Sequence, residues 1–147
     1  CRGLAALPRL NCQFYSIEAN ISNYGQALKN LADAGLLPLV RPLNGLSVPR
    51  AVLPSRETIQ KVLVDNENTA DIYVDFTPEI RDDCYFRESD WPEAPDDLLG
   101  LCLKSCANRP DIVVLDSAGH LGFIEFQYVL SQLEGPCFFA LDDIRHV

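Results

Sequence analysis

Four carboxylates fall at or just after the ends of short apolar runs: Glu18, Asp116, Asp142 and Asp143. In open α/β sheets, ligands bind outside the carboxyl ends of the strands. Acids at successive strand ends therefore mark a ligand site, provided the runs are parallel strands. Glu18 is placed either to accept hydrogen bonds from ribose hydroxyls or to sit in water as a strand-end acid. Asp116, Asp142 and Asp143 carry like charges, and parallel neighbours lie about 4.8 Å apart. Adjacency of the last two runs would crowd these carboxylates, and a divalent cation neutralises such a cluster. Oxygen-only ligands favour magnesium, calcium or manganese over zinc. In the other reading, Asp116 caps the next helix and Asp143 faces water. The two histidines, His120 and His146, each follow one of the acidic ends. Both have the chemistry of a general base or metal ligand, although a surface-loop histidine is the commoner case. Gly119 and Gly122 bracket His120 and Leu121. They allow either close approach of the turn to a ligand or a tight entry to the helix.

The elements that must carry these residues are legible as alternating patterns. Four apolar runs read as strands: 13–18 (QFYSIE), 37–42 (LPLVRP), 112–116 (IVVLD) and 137–142 (CFFALD). Near-continuous apolar runs fit strands covered on both faces, as in a parallel sheet. Helical patterns lie between them. Asn23 is expected to cap the first, with Gln26 at the reciprocal capping position, and Gly35 to close it. A second helix is expected over 55–66, after Pro54. A third follows Pro95, with Asp96 and Asp97 in its first turn, where the helix dipole favours acids. A fourth runs over 121–133 and is apolar nearly all round, which predicts a well-buried helix. This order gives an α/β fold: a Rossmann-like, doubly wound, mostly parallel sheet in a three-layer sandwich, incomplete at both ends. It forms a single partial domain over 1–147. Residues 64–94 are acidic and weakly periodic. They hold one candidate strand at 71–76 and the aromatics Tyr85, Phe86 and Trp91, which either pack the segment down or cover a substrate.

Composition narrows the function. The net charge of −9 argues against binding a phosphate backbone or an anionic membrane surface, both of which need clustered Lys and Arg. No apolar run approaches the roughly 20 residues that span a bilayer. The six cysteines, Cys1, Cys12, Cys84, Cys102, Cys106 and Cys137, form no CxxC pair. Cys102 and Cys106, four apart on a helix, read as small buried hydrophobes before they read as metal ligands. Dispersed thiols point to a reducing, cytoplasmic compartment. The chain has no Met and begins at Cys1, which reads as a trimmed chain or a piece of a longer one.

Taken together, FYSIEAN (14–20), the strand leading into NGLSVP (44–49), PDIVVLDSAGHLGFIEF (110–126) and FFALDDIRHV (138–147) resemble class I S-adenosylmethionine-dependent methyltransferases. The resemblance is to strands two to five of that fold, in the metal-dependent O-methyltransferase branch with catechol, macrocin and cephalosporin-hydroxylase-like relatives. It covers most of the chain, with 52–109 matching only loosely. It implies that Glu18 holds the ribose of S-adenosylmethionine, with Asn44, Leu46, Ser47 and Asp116 bordering the same donor and Leu46 and Ser47 against its adenine. It implies a divalent cation, magnesium by ligand type, on Asp116, Asp142 and Asp143. Either His120 or His146 takes the proton of a small-molecule hydroxyl. The sequence departs from the family in having no GxG, where the family has a glycine-rich loop after its first strand. Residues 1–11 look like the end of the helix that follows that loop, so the first strand and the loop are expected upstream. An exposed sheet edge would favour homo-oligomers. Two other readings stand beside this one. One is a nucleotide-sugar transferase with a metal-binding acidic strand end; the other is a non-catalytic Rossmann-like module for binding or assembly.

Overall fold

A computed structural model describes residues 12–55, 57, 58, 61, 93–117 and 119–142. The chain enters β1 (Phe14–Glu18), turns into helix α1 (Ile21–Asp33) and returns as β2 (Val40–Asn44). After a short 3-10 turn at Arg50–Val52, the described chain resumes with α2 (Leu98–Ser105), β3 (Ile112–Leu115), α3 (Gly119–Gln132) and β4 (Phe138–Leu141). β1 pairs with β2 in parallel, Phe14 against Val40 through Glu18 against Asn44. β3 pairs with β4 in parallel, Ile112 against Phe138 through Leu115 against Leu141. The architecture is thus mixed α/β with two two-stranded parallel sheets, each pair joined by a helical crossover. Among the described residues, no helix is long and apolar enough to cross a membrane.

The first crossover starts earlier than the sequence pattern suggests. Asn20, not Asn23, caps α1: its side-chain oxygen accepts the amides of Ser22 at 2.9 Å and Asn23 at 3.2 Å. Two asparagines three residues apart can both cap, and the end of β1 at Glu18 decides between them. Gln26 bonds Asn30 instead of reaching back to the cap. Gly35 closes the helix as expected, at φ 67. The following turn takes residues that read as strand. The amides of Leu39 and Val40 both bond the carbonyl of Leu36, so β2 begins at Val40 rather than 37. Pro42 is tolerated inside β2 because, among the described residues, that strand has a partner on one side only.

Residues 57, 58 and 61 are helical, and Ser55 Oγ accepts the Thr58 amide at 3.2 Å in the manner of a cap. The rest of the helix expected over 55–66 lies outside the described residues. So do the candidate strand at 71–76 and Tyr85, Phe86 and Trp91. The acids before α2 are not in its first turn. Asp97 is the N-cap itself, in the left-handed region at φ 58, with no side-chain capping bond. Asp96 accepts the Arg50 amide at 3.0 Å.

The core gathers Val40, Leu46, Val48, Ala94, Leu98, Leu103, Leu115 and Val129. It sits where the loop after β2, the segment leading into α2, and helix α3 meet. α3 covers one face of the second sheet, with Phe126 edge-on to Phe139 at 5.2 Å. The other face carries Ile112, Val114 and Phe138, which are 64%, 62% and 79% exposed. α3 itself is covered on one side: Glu125 and Val129 are buried, while Phe123 and Leu130 remain exposed. Its all-round apolar sequence predicted deeper burial than it has. Cys102 and Cys106 are not both buried either; Cys102 is half-buried and Cys106 exposed. Burial first, and then the neighbouring Cys106, push the Cys102 thiol up to about 11. It therefore stays protonated and unreactive near neutral pH.

Candidate functional site at the carboxyl ends of the strands

The parallel pairings put Glu18 beside Asn44 at one pair of carboxyl ends. At the other, Asp116 and Asp142 immediately follow the registered pair Leu115 and Leu141. Backbone bonds extend each ladder by one step: Gly45 N donates to Glu18 O at 3.2 Å and Asp142 N to Leu115 O at 3.0 Å. The third and fourth predicted strands are therefore neighbours, as the crowding of their terminal acids required. Asp116 and Asp142 are both exposed. Asp143 and His146 lie outside the described residues, and His120 lies in the first turn of α3. Among the described residues, no group of three or more His, Cys, Asp or Glu side chains is placed to hold a metal ion.

Around Glu18 the chain is pinned by local bonds. One carboxylate oxygen of Glu18 accepts the Asn20 amide at 2.8 Å, which fixes the side chain over the turn into α1. The Asn44 side-chain amide donates to the carbonyls of Glu18 at 2.8 Å and Ala19 at 3.2 Å. Asn44 thus ties the two strand ends together. Beyond it, Gly45 adopts φ 151, and a Cβ there would run into the Pro95 carbonyl oxygen and meet Leu98 Cδ1 at 3.0 Å. Only glycine lets the two segments approach this closely. Leu46 and Ser47 are then laced to the start of α2. Leu46 N donates to Pro95 O at 2.8 Å, Leu98 N to Leu46 O at 3.1 Å and Leu99 N to Ser47 O at 2.8 Å. Leu46 is 4% exposed, so its side chain belongs to the core rather than to an open cleft.

The residue the sequence reading missed is Glu125. It is the only carboxylate in α3 and is 4% exposed. Its two oxygens accept from two serines: Ser47, in the loop after β2, and Ser117, in the loop after β3, the latter at 2.6 Å. These are the hydrogen bonds that make burial of a carboxylate tolerable. Gly122 completes the arrangement. A Cβ there would meet the Ser117 carbonyl oxygen at 2.7 Å, so this glycine serves the tight entry of α3 against the 116–117 turn. One turn along, Tyr128 donates its hydroxyl to Asp97, whose carboxylate also lies 3.8 Å from Lys104 Nζ. Burial first, then the Asp97 carboxylate, push the Tyr128 hydroxyl up to about 12. A signal for Glu125 was present in the sequence. A lone acid four residues before Val129, on an otherwise apolar helix, has to be either exposed or paired.

Removal from water raises the carboxyl of Glu125 above the ordinary glutamate range; the bonds from Ser117 and Ser47 oppose that shift and do not cancel it. A raised pKa means that the fold holds this proton more tightly than the unfolded chain does. The contribution is fully present below the unfolded value of about 4.5 and is lost as pH rises through the folded value. Replacement by Gln keeps the shape and removes the titration. Urea midpoints measured from pH 4.5 to pH 8 should therefore show the wild type losing stability relative to Glu125→Gln as pH rises. A constant difference across that range would refute the raised value.

Comparison with family models, curated proteins and solved structures finds no match to this chain. The site therefore has to be read from its own chemistry. Four strand ends are gathered in two adjacent pairs. An acid sits at the first pair and two acids at the second. A buried carboxylate links the loops that follow β2 and β3.

Proposed function

We propose that this chain carries part of the active site of an S-adenosylmethionine-dependent methyltransferase acting on a hydroxyl of a small molecule, with a divalent cation orienting the acceptor. The observation that carries this reading is the link through Glu125. Its carboxylate accepts from Ser47, in the loop after the Glu18–Asn44 end, and from Ser117, next to Asp116 at the other end, which supports reading the two ends as parts of one site. A donor anchored at the first end and an acceptor anchored at the second would then meet between them.

The residues present fit the two absent groups unequally. The Glu18 carboxylate is half-buried and already oriented by the Asn20 amide. A carboxylate offers about four lone-pair sites, so it retains capacity for the hydroxyls of a ribose. Asp116 and Asp142 are exposed carboxylates on adjacent, in-register strand ends, an oxygen-only donor set suited to magnesium. Asp143 is the third ligand in this reading. Leu46 and Ser47 fit less well as direct adenine contacts, because one is spent in the core and the other on Glu125. Their part is to fix the shape of the loop beside the donor.

In this mechanism, Glu18 holds the donor and Asn44 keeps the strand end beneath it rigid. Asp116, Asp142 and Asp143 would hold the cation, which would supply a lowered pKa at an acceptor hydroxyl. His120 or His146 takes the proton that the hydroxyl loses. Holding the two reactants at fixed strand ends would supply the orientation that methyl transfer needs. Isotope-labelled methyl transfer from S-adenosylmethionine to a panel of catechols and sugar hydroxyls, with magnesium and then with chelator, tests the reaction in the full-length protein. Magnesium-dependent labelling is expected. Binding of a nucleotide diphosphate-sugar in place of the methyl donor would overturn the proposal.

A further inference from the structure

Both oxygens of the Glu125 carboxylate are taken by serines, and through them it joins the loops after β2 and β3. Ser47 stands three residues past the end of β2 and on the donor side; Ser117 immediately follows Asp116 on the cation side. Both hydroxyls donate to the same buried side chain, one to each oxygen. Each loop is also tied by backbone hydrogen bonds away from Glu125. Leu46 and Ser47 are bonded to Pro95, Leu98 and Leu99, and Leu115 is bonded to Asp142. Glu125 is therefore the link through which displacement of one loop reaches the other. A solvated side chain would transmit little. This one is 4% exposed, in the same helix as the fully buried Val129.

We propose that Glu125 is a positioning residue that couples the donor loop to the cation loop, so that binding of the methyl donor and binding of the cation reinforce each other. The coupling, though not the link itself, rests on the methyltransferase reading. Coupling of this kind is reciprocal: each ligand must tighten the other by the same factor. Loss of the carboxylate should disconnect the loops while leaving Glu18, Asp116 and Asp142 in place. Glutamine at the same position offers an oxygen to one serine and an amide to the other, so it should preserve the link.

Two measurements on the full-length protein test this and fail separately. The first is calorimetric affinity for S-adenosylhomocysteine with and without magnesium. The wild type is expected to bind about 5-fold or more tightly with magnesium. Glu125→Ala should bring that ratio close to 1, and Glu125→Gln should retain it. Ser47→Ala and Ser117→Ala each cut one arm and should abolish the coupling without removing the buried carboxylate, which guards against a Glu125→Ala variant that does not fold. An unchanged ratio in the folded alanine variants overturns the coupling. The second is amide hydrogen exchange. In Glu125→Ala the amides of Leu46, Leu99 and Asp142 should exchange faster, while those of α1 stay unchanged. Equal acceleration everywhere means that Glu125 only stabilises the fold, and overturns the positioning role. If the wild type binds neither ligand, the methyltransferase reading and the coupling built on it both fall; the exchange measurement then decides whether the link exists.

Discussion

Replacing Gly45 with Ala is expected to cost at least about 3 kcal/mol of stability, because a strained backbone region and a steric clash add. Gly45 sits at φ 151, where a side chain is rarely accommodated. The added methyl would point into the Pro95 carbonyl, which belongs to backbone that cannot simply swing away. That carbonyl also accepts the amide of Leu46, so moving it breaks the lacing between the loop after β2 and the start of α2. Leu46, Val48, Ala94 and Leu98 all lie in the core at this junction, so the damage spreads to apolar packing. Urea denaturation of the two proteins measures the difference. Gly25→Ala is the control: Gly25 lies inside α1 with nothing within 4 Å of a new Cβ. That substitution should stabilise by about 0.5–1 kcal/mol. A Gly45→Ala cost below about 1 kcal/mol would show that the loop is not held as described.

The second large effect is on activity. Asp142→Ala should lower magnesium-dependent methyl transfer by at least about 100-fold, since loss of even an outer-shell partner of a metal costs 10–100-fold. Stability should hardly change. The side chain is exposed, and the substitution keeps the backbone amide that donates to Leu115. This separation of activity from stability is what distinguishes a ligand from a structural acid. Asp33→Ala, which removes an exposed acid at the end of α1, should leave transfer unchanged. Transfer by Asp142→Ala that responds to magnesium as the wild type does would remove Asp142 from the cation site.

The sequence carried much of this arrangement, and its failures have identifiable causes. The strands were legible because IVVL and CFFAL are short apolar runs between turn residues. Their parallel order followed from the helices between them. Boundaries slipped where one pattern served two elements. Leu37–Val40 reads as strand by hydropathy, but the closure of α1 through Leu36 takes its first three residues as a turn. Two candidate caps, Asn20 and Asn23, could be told apart only by knowing where β1 ended. The burial of α3 was overestimated because hydropathy records what a helix can bury, not how many neighbours reach it. Phe123 and Leu130 stay 41% and 48% exposed. The acids at the strand ends were found from pattern alone. Glu125 was not, because its partners Ser47 and Ser117 are 78 and 8 residues away and meet it only in the folded chain. Gly122 was ambiguous for the same reason: the group it makes room for, the Ser117 carbonyl, lies across the turn.

The central claim is that Glu18 and the Asp116–Asp142 pair belong to one methyl-donor and cation site. Calorimetric titration of the full-length protein, including any residues that precede Cys1, with S-adenosylhomocysteine in magnesium buffer tests it most directly. Saturable one-to-one binding is expected, lost in Glu18→Ala and weakened by chelation of the cation. No heat from S-adenosylhomocysteine, or binding that Glu18→Ala leaves intact, would contradict it.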